Sequence, residues 1–537
     1  MLQSSDRERI LKALDDLDTS DPESLEPVGK ILEGMSFNDV LSLGRYPEAG
    51  SSNGGHNDGQ YKGKGRLGIL IEERFFGYEA NSEQAADFSE AGVELKTTPF
   101  NRLKSGRISA GERLVITMIP YDREIESEFK ESHAWTKIEL VLLVYYEREK
   151  EVNDNLEQKI HYVWLFTPSQ EDLEIIKDDY QTIVSYITQG EADQLSESLT
   201  NYLGACTKGS TAASSWVTQF YPTSHGVRKE ARRRAFSLKR QYMDFVLQQH
   251  IADDSSCESV IKDERALRET TFEDYVSGLF DPYIGRTDRE ISEIFNVPLT
   301  HGKSQWRLLT SQMLKVKTKR IEEFEKANIE VRTIALEPNG RVKESLPFET
   351  FDFQELVRES EWEESKLFEK VDSKKFLFVV YQKISKESGA DRILKGVMFW
   401  SVPASVIEGE AQKVWARTRG EIEQGVVIEE RNGRYFNSLP DTKFNSYFHV
   451  RPHAAKSAYK FEDGTIRGDI KRNASELPDG RWMTKQSFWM NNTYLTSVLA
   501  KFASPHPPTR DMLRSQHEMG GDTEEHWGRH SNISKSP

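Results

Sequence analysis

Asp87, Glu94 and Lys96 are the residues whose types and spacing could most directly do chemistry. They lie in Ala85-Ala86-Asp87-Phe88-Ser89-Glu90-Ala91-Gly92-Val93-Glu94-Leu95-Lys96-Thr97, where apolar Val93 and Leu95 alternate with Glu94 and Lys96. That two-residue period marks a half-buried strand and turns Glu94 and Lys96 to one face. With Asp87 arriving from a nearby turn, two carboxylates can hold a hard divalent cation, and the lysine can sit beside an attacking water. Metal-dependent phosphodiester hydrolysis is the chemistry such a set suits. The bland alternative is a solvated edge strand with an intra-strand ion pair, worth little to stability. Because 30% of residues are charged, the spacing alone does not choose between them.

The elements that must position this set read as α/β. Strands are expected at Val93–Thr97, Arg113–Ile119, Ile138–Tyr146 and His161–Phe166, and helices at Leu67–Phe76, Gln170–Thr188 and Arg228–Gln249. The first helix sets Glu72 among apolar residues. Ahead of it, the glycine-rich stretch 51–66 matches neither a P-loop nor a dinucleotide fingerprint. It reads either as a plain connector or as a mobile loop that closes over a ligand.

The whole chain sets the limits. At 537 residues it should form two or more domains with a sizeable core in each. It has no apolar run long enough to span a membrane and no signal-peptide core near its start, where 1–17 read as a surface helix. Two cysteines, Cys206 and Cys257, without a CxxC or His/Cys cluster argue against a disulfide framework or structural zinc and point to the cytoplasm. The net charge is −15, yet Gly226–Arg240 holds seven basic residues and one acid. In an acidic protein that run is either a solvated basic helix or a phosphate-contacting element.

Self-comparison reveals a repeat. EEFEKANIEVRT (322–333) parallels ADFSEAGVELKT, with Glu323 on Asp87, Glu330 on Glu94 and Arg332 on Lys96, 236 residues on. HYVWLFTPS (161–169) parallels KGVMFWSVPAS (395–405), so Lys375–Lys383 and Lys395–Val402 should be strands of the second copy. SLTNYLGACTKGSTA (198–212) parallels KFNSYFHVRPHAAKSA (443–458), with Tyr202 on Tyr447 and Lys208 on His453, and 234–247 parallels 487–500. The expected division is 1–253, 254–503 and a disordered tail, 504–537. In the second copy Asp87 becomes a longer Glu323, and Lys96 becomes Arg332, which cannot give up a proton. Glu72 falls on Thr310 or Ser311. The second copy thus keeps the fold and loses the chemistry.

KGRLGILIEERFFG (64–77), the Asp87-x6-Glu94-Leu95-Lys96 core in its GVELKT context, SHAWTKIELVLLV (132–144) and VRPHAAKSA (450–458) together resemble the MutH family of GATC-specific endonucleases, a branch of the PD-(D/E)xK fold. The resemblance covers nearly everything from about residue 35 to 502, and the tandem arrangement is similar to the Sau-type restriction endonucleases. It implies two tandem restriction-endonuclease-fold domains, each a mixed central sheet flanked by helices, the second catalytically degenerate. It further implies Mg²⁺, with Mn²⁺ as substitute, held by Glu72, Asp87 and Glu94, Lys96 orienting water, and Lys137 supporting the site. The implied partner is double-stranded DNA containing GATC, bound without any membrane by a monomer or a DNA-induced dimer. Phosphate contacts are expected from Lys62, Lys64 and Arg66, and from Arg233, Arg234 and Lys239 of the basic run. Base reading is expected around Lys208, with Ser210 and Phe236 nearby, and in the second copy at Arg451, His453 and Trp489. Two departures weaken the first reader: Cys206 stands where the family has an arginine and Ser237 where it has a base-contacting tyrosine, a position Trp489 fills in the second copy. Arg451 retains the arginine, which can take guanine O6 and N7 together. By the same resemblance the second copy binds another GATC as an effector. A repair nickase and a non-cleaving GATC-binding regulator are the alternatives.

Overall fold

Val141, Leu142, Leu143, Val144 and Tyr145 are fully buried, so their strand must be covered on both faces. In this computed structural model, which describes residues 3–45, 65–78, 85–149, 151–208, 216–252, 256–300, 303–318, 320–387 and 389–504, it is an inner strand of a four-stranded sheet. The order is Ile108–Ala110, Glu94–Arg102, Val141–Glu147, Ile160–Phe166. Glu94–Arg102 runs parallel to Val141–Glu147, with Lys96 opposite Leu143, and the other pairings are antiparallel. Leu67, Leu70, Leu95 and Leu142 pack on one face, while Leu143, Tyr145, Ile176 and Ile183 pack on the other. Each such aliphatic side chain contributes about 1.5–3 kcal/mol by leaving water.

Helix Gln170–Thr188 forms as expected, its first turn capped by the Ser169 hydroxyl accepting from Asp172 N–H. The strand expected from Ile138 begins at Val141, because Ser132 caps a short helix, His133–Thr136, that ends just before it. The expected helix Leu67–Phe76 is α-helical only over Arg66–Leu70 and becomes a π-helix over Ile71–Phe76.

The helix expected over Arg228–Gln249 does not form as such. Glu230–Arg232 and Arg234–Leu238 are strands, and the helix is Arg240–Ala252. Every residue of Arg234–Leu238 is buried, and a short run covered on both faces carries no period that tells strand from helix.

The second half repeats the plan, with Ile329–Leu336 parallel to Lys375–Lys383 and Arg392–Ser401 antiparallel beyond it. A second three-stranded sheet also recurs: Leu114–Met118, Arg234–Leu238, Leu203–Thr207 in the first half, and Leu346–Thr350, Gln486–Met490, Phe448–Pro452 in the other. Its register settles one alignment. Gly204 faces Ser237 and His449 faces Trp489, so with Tyr202 on Tyr447 it is Ser237 that corresponds to Trp489. Matching 234–247 against 487–500 end to end is off by one residue, which would turn every side chain to the wrong face.

The halves share a core. One apolar cluster runs from Phe100 and Val141 through Tyr202 and Tyr242 to Phe324, Leu377 and Phe399. Lys326 of the second half reaches Asp172 of the first at 2.8 and 3.1 Å, both side chains buried. No helix among the described residues is long and apolar enough to cross a membrane. Lys62, Lys64, Ser210 and the expected tail beyond Ser504 lie outside the described residues.

Candidate active site

Glu94 is 1% exposed at the start of its strand, and an isolated carboxylate there would be prohibitively costly. Two lysines resolve this. Lys96, two residues on and facing the same way, places Nζ 2.5 Å from Glu94 Oε1. Lys137, just past the Ser132-capped helix, donates to both Glu94 oxygens at 3.1 and 3.0 Å. The expected Glu94/Lys96 face therefore exists, and Lys137 belongs to it. His133 lies 3.4 Å from Glu126 rather than among these groups.

Asp87 arrives from the turn before the strand, where its Oδ2 accepts from Leu95 N–H at 2.8 Å. Burial, then the Glu94 charge, pushes its carboxyl above the ordinary aspartate range, opposed by that N–H, Lys96 and Lys137. Glu72 comes from the π-helical turn, a distortion frequent at functional sites. Burial first, then Asp87, raises its pKa to about 7, with Glu94 adding to the rise and Lys96 opposing it. Three carboxylates thus feel one another, although no three His, Cys, Asp or Glu side chains among the described residues converge into a finished metal cage. All-oxygen donors with excess negative charge fit a hard divalent cation.

The second half keeps the frame but not the gathering of carboxylates. Glu330 is held by Arg332 on one oxygen and by Lys374 at 2.7 Å on the other. Glu323 is buried and turned away, accepting from Ser259 Oγ at 2.5 Å and Val260 N–H at 3.0 Å. Thr310 and Ser311 bond to carbonyls of their own helix. The loss is larger than one methylene, since Glu323 has become a structural tie.

Of the expected DNA contacts, Arg451, His453 and Trp489 come together. The exposed Arg451 guanidinium lies 4.2 Å from the Trp489 ring centre, and the ring N–H of Trp489 donates to the Arg451 carbonyl at 3.3 Å. His453 packs 5.2 Å from the same ring, and its Nδ1 is 2.9 Å from Ser487 Oγ. In the first half Lys208 is half-buried at the end of Leu203–Thr207, while Arg233 and Arg66 are exposed. Arg234 and Lys239 correct the expectation of phosphate contact. Arg234 is 3% exposed and donates to Ala205 O, and Lys239 is 0% exposed and donates to Thr200 O at 2.5 Å. They fall on and just past a strand covered on both faces. Phe236 is likewise core, stacked on Tyr180.

Two residues were missed. Tyr78, just past the π-helical turn, donates its N–H to Glu72 O and meets Phe88, the neighbour of Asp87. Arg232 bridges to Glu363 and Glu408 of the second half, and a pairing that distant leaves no local signal.

Comparison with known proteins agrees with this architecture. The family model of the DNA mismatch repair enzyme MutH matches the chain twice, over residues 76–179 and 313–411. Type II restriction enzyme Sau3AI of Staphylococcus aureus is 35% identical over 447 residues, covering 79% of this chain and 90% of that enzyme. The chain belongs to the MutH family of endonucleases. DNA mismatch repair protein MutH of Pasteurella multocida (strain Pm70) is 27% identical over 188 residues, 35% of this chain and 81% of that protein. MutH of Vibrio campbellii (strain ATCC BAA-1116) is 28% identical over 187 residues, 35% and 79%. These single-copy relatives span about one repeat, whereas the restriction enzyme spans both. Within the MutH family this chain is therefore of the restriction-endonuclease type, a site-specific deoxyribonuclease.

Proposed function

We propose that the chain makes Mg²⁺-dependent double-strand cuts in DNA at GATC with its first half, while its second half binds another GATC copy as an effector. The contrast between Glu94 and Glu330 carries this reading: the same lysine-or-arginine frame surrounds both, but only the first is joined by two further carboxylates. Asp87, Glu94 and Glu72 would hold the cation. A divalent ion there supplies Lewis-acid polarisation of the scissile phosphate and a water of lowered pKa. Lys96, held on Glu94, would orient the attacking water. Lys137 neutralises Glu94 so that the site accepts a phosphate without a net anion beneath it. Arg451 stacked on Trp489 offers a guanidinium fixed for guanine, worth about 1–3 kcal/mol of base discrimination.

Plasmids carrying one or two GATC sites test both parts. With Mg²⁺, linear product should form on each, faster on the two-site plasmid, and a short GATC duplex should rescue the one-site substrate. Arg451→Ala should remove the rescue and leave basal cutting. Equal rates on both plasmids would eliminate the effector site and leave the nuclease. Nicks without linear product would favour the repair-nickase reading.

A further inference from the structure

Tyr78 brings a buried hydroxyl that no described residue satisfies to the edge of the candidate active site. Its N–H donates to Glu72 O at 3.2 Å, closing the π-helical turn behind Gly77, whose φ of 83° lets the chain reverse there. Its ring meets Phe88, the neighbour of Asp87, edge-to-face at 5.4 Å between centres. Tyr78 is thus wedged between the two segments that deliver Glu72 and Asp87. Its hydroxyl oxygen is buried and has no hydrogen-bond partner among the described residues. A buried phenol normally finds one, and leaving it unmet is a net cost to the fold.

Asp87, Glu72 and Glu94 are the charged groups that act on this phenol. Hydrated Mg²⁺ keeps several of its waters when held by one or two carboxylates, and each needs an acceptor. A phenol oxygen meets that need while its proton remains free for a carboxylate or phosphate oxygen.

We propose that Tyr78 is a positioning residue of the cleavage site, its orphaned hydroxyl completing the hydrogen bonds of the water shell that enters with the divalent cation at Asp87, Glu94 and Glu72. This rests on the metal-dependent nuclease reading. It gives the metal-free and metal-loaded protein opposite needs: the hydroxyl is a burden to the first and a support to the second.

Tyr78→Phe separates the two, because it removes one oxygen and keeps the ring against Phe88. In metal-free buffer the variant should unfold at the same temperature as wild type or slightly higher. Titrated with Mg²⁺ or Mn²⁺ alone, it should show a smaller metal-induced rise in Tm, with affinity weakened roughly 10–100-fold, the usual loss when an outer-shell partner of a metal ligand is removed. Single-turnover cleavage of a GATC plasmid should fall by a similar factor and recover in part at high Mg²⁺. A Tyr78→Phe protein with wild-type metal response and cleavage overturns the role of Tyr78 and leaves the nuclease intact. A variant destabilised without metal shows a purely structural tyrosine and overturns it too. If wild type and Asp87→Ala alike show neither metal response nor cleavage, the nuclease reading itself falls and takes this inference with it.

Discussion

Glu94 is the residue on which the site turns, because a carboxylate that buried survives only through Lys96 and Lys137. Removing a partner from a buried pair costs about 3–5 kcal/mol when nothing replaces it. Lys137→Ala leaves Lys96 behind, so a loss of about 2–3 kcal/mol is expected in chemical denaturation. Lys96→Arg should behave differently. Arginine keeps the ion pair, as Arg332 does on Glu330, so stability should hold while cleavage falls about 10²-fold or more through loss of the water-orienting amine. The reverse exchange, Arg332→Lys with Glu323→Asp, should not awaken the second half. Glu323 is engaged with Ser259 and Val260, and Thr310 and Ser311 bring no third carboxylate.

Lys239 makes a pH-dependent claim at the same scale. Burial, then the charge of Lys375, lowers its pKa to about 7 from 10.5. Between those values the unfolded chain holds a proton that the folded one has shed, so stability attributable to this site rises with pH. Below about pH 7 both states are protonated and the full cost of burying the charge is present. The stability gained by Lys239→Met over wild type should therefore be largest below pH 7 and vanish towards 10.5, as read from unfolding midpoints across that range.

Among the elements, Arg232 ties together the segments proposed to read DNA in the two halves. Its strand pairs with Trp216–Thr218, which leaves the first reading loop, and its guanidinium lies 5.3 Å from the Trp216 ring centre. Across the halves it meets Glu363 and, at 3.2 Å, Glu408. Two residues past Glu408, the Glu410 carbonyl accepts from Asn445 Nδ2 at 3.1 Å, and Asn445 Oδ1 accepts from Phe448 N–H at the start of the Arg451 strand. Spatial continuity is an associational warrant for coupling, and a double-mutant comparison supplies the physical one. Arg232→Gln should bring the two-site to one-site rate ratio towards unity and leave the one-site rate near wild type. Arg451→Ala added to it should then change that ratio no further.

The same elements show what the sequence reveals. The strand of Glu94 and Lys96 was legible because alternation survives wherever one face is half-covered, and the repeat was legible because Glu330 and Arg332 keep their register. The basic run was misread as a helix because Arg234–Leu238 is buried throughout. Arg234 and Lys239 were misassigned to DNA because the carbonyls they meet, Ala205 O and Thr200 O, stand 29 and 39 residues away in sequence. Tyr78 was overlooked because an orphaned hydroxyl is a property of packing, not of spacing.

For the whole molecule, the shared core and the buried Lys326–Asp172 pair make each half part of the other's interior. Thermal unfolding should therefore follow one cooperative transition, and a fragment ending at residue 253 should lose stability as Tyr202 and Tyr242 become exposed. Two separate calorimetric transitions would contradict this. The most direct test compares Mg²⁺-dependent cleavage of a GATC plasmid by Lys96→Ala and Arg332→Ala. Cutting should fall by about 10²-fold or more in Lys96→Ala and persist in Arg332→Ala. Equal loss in both variants, or undiminished cutting by Lys96→Ala, would contradict the assignment of chemistry to the first half.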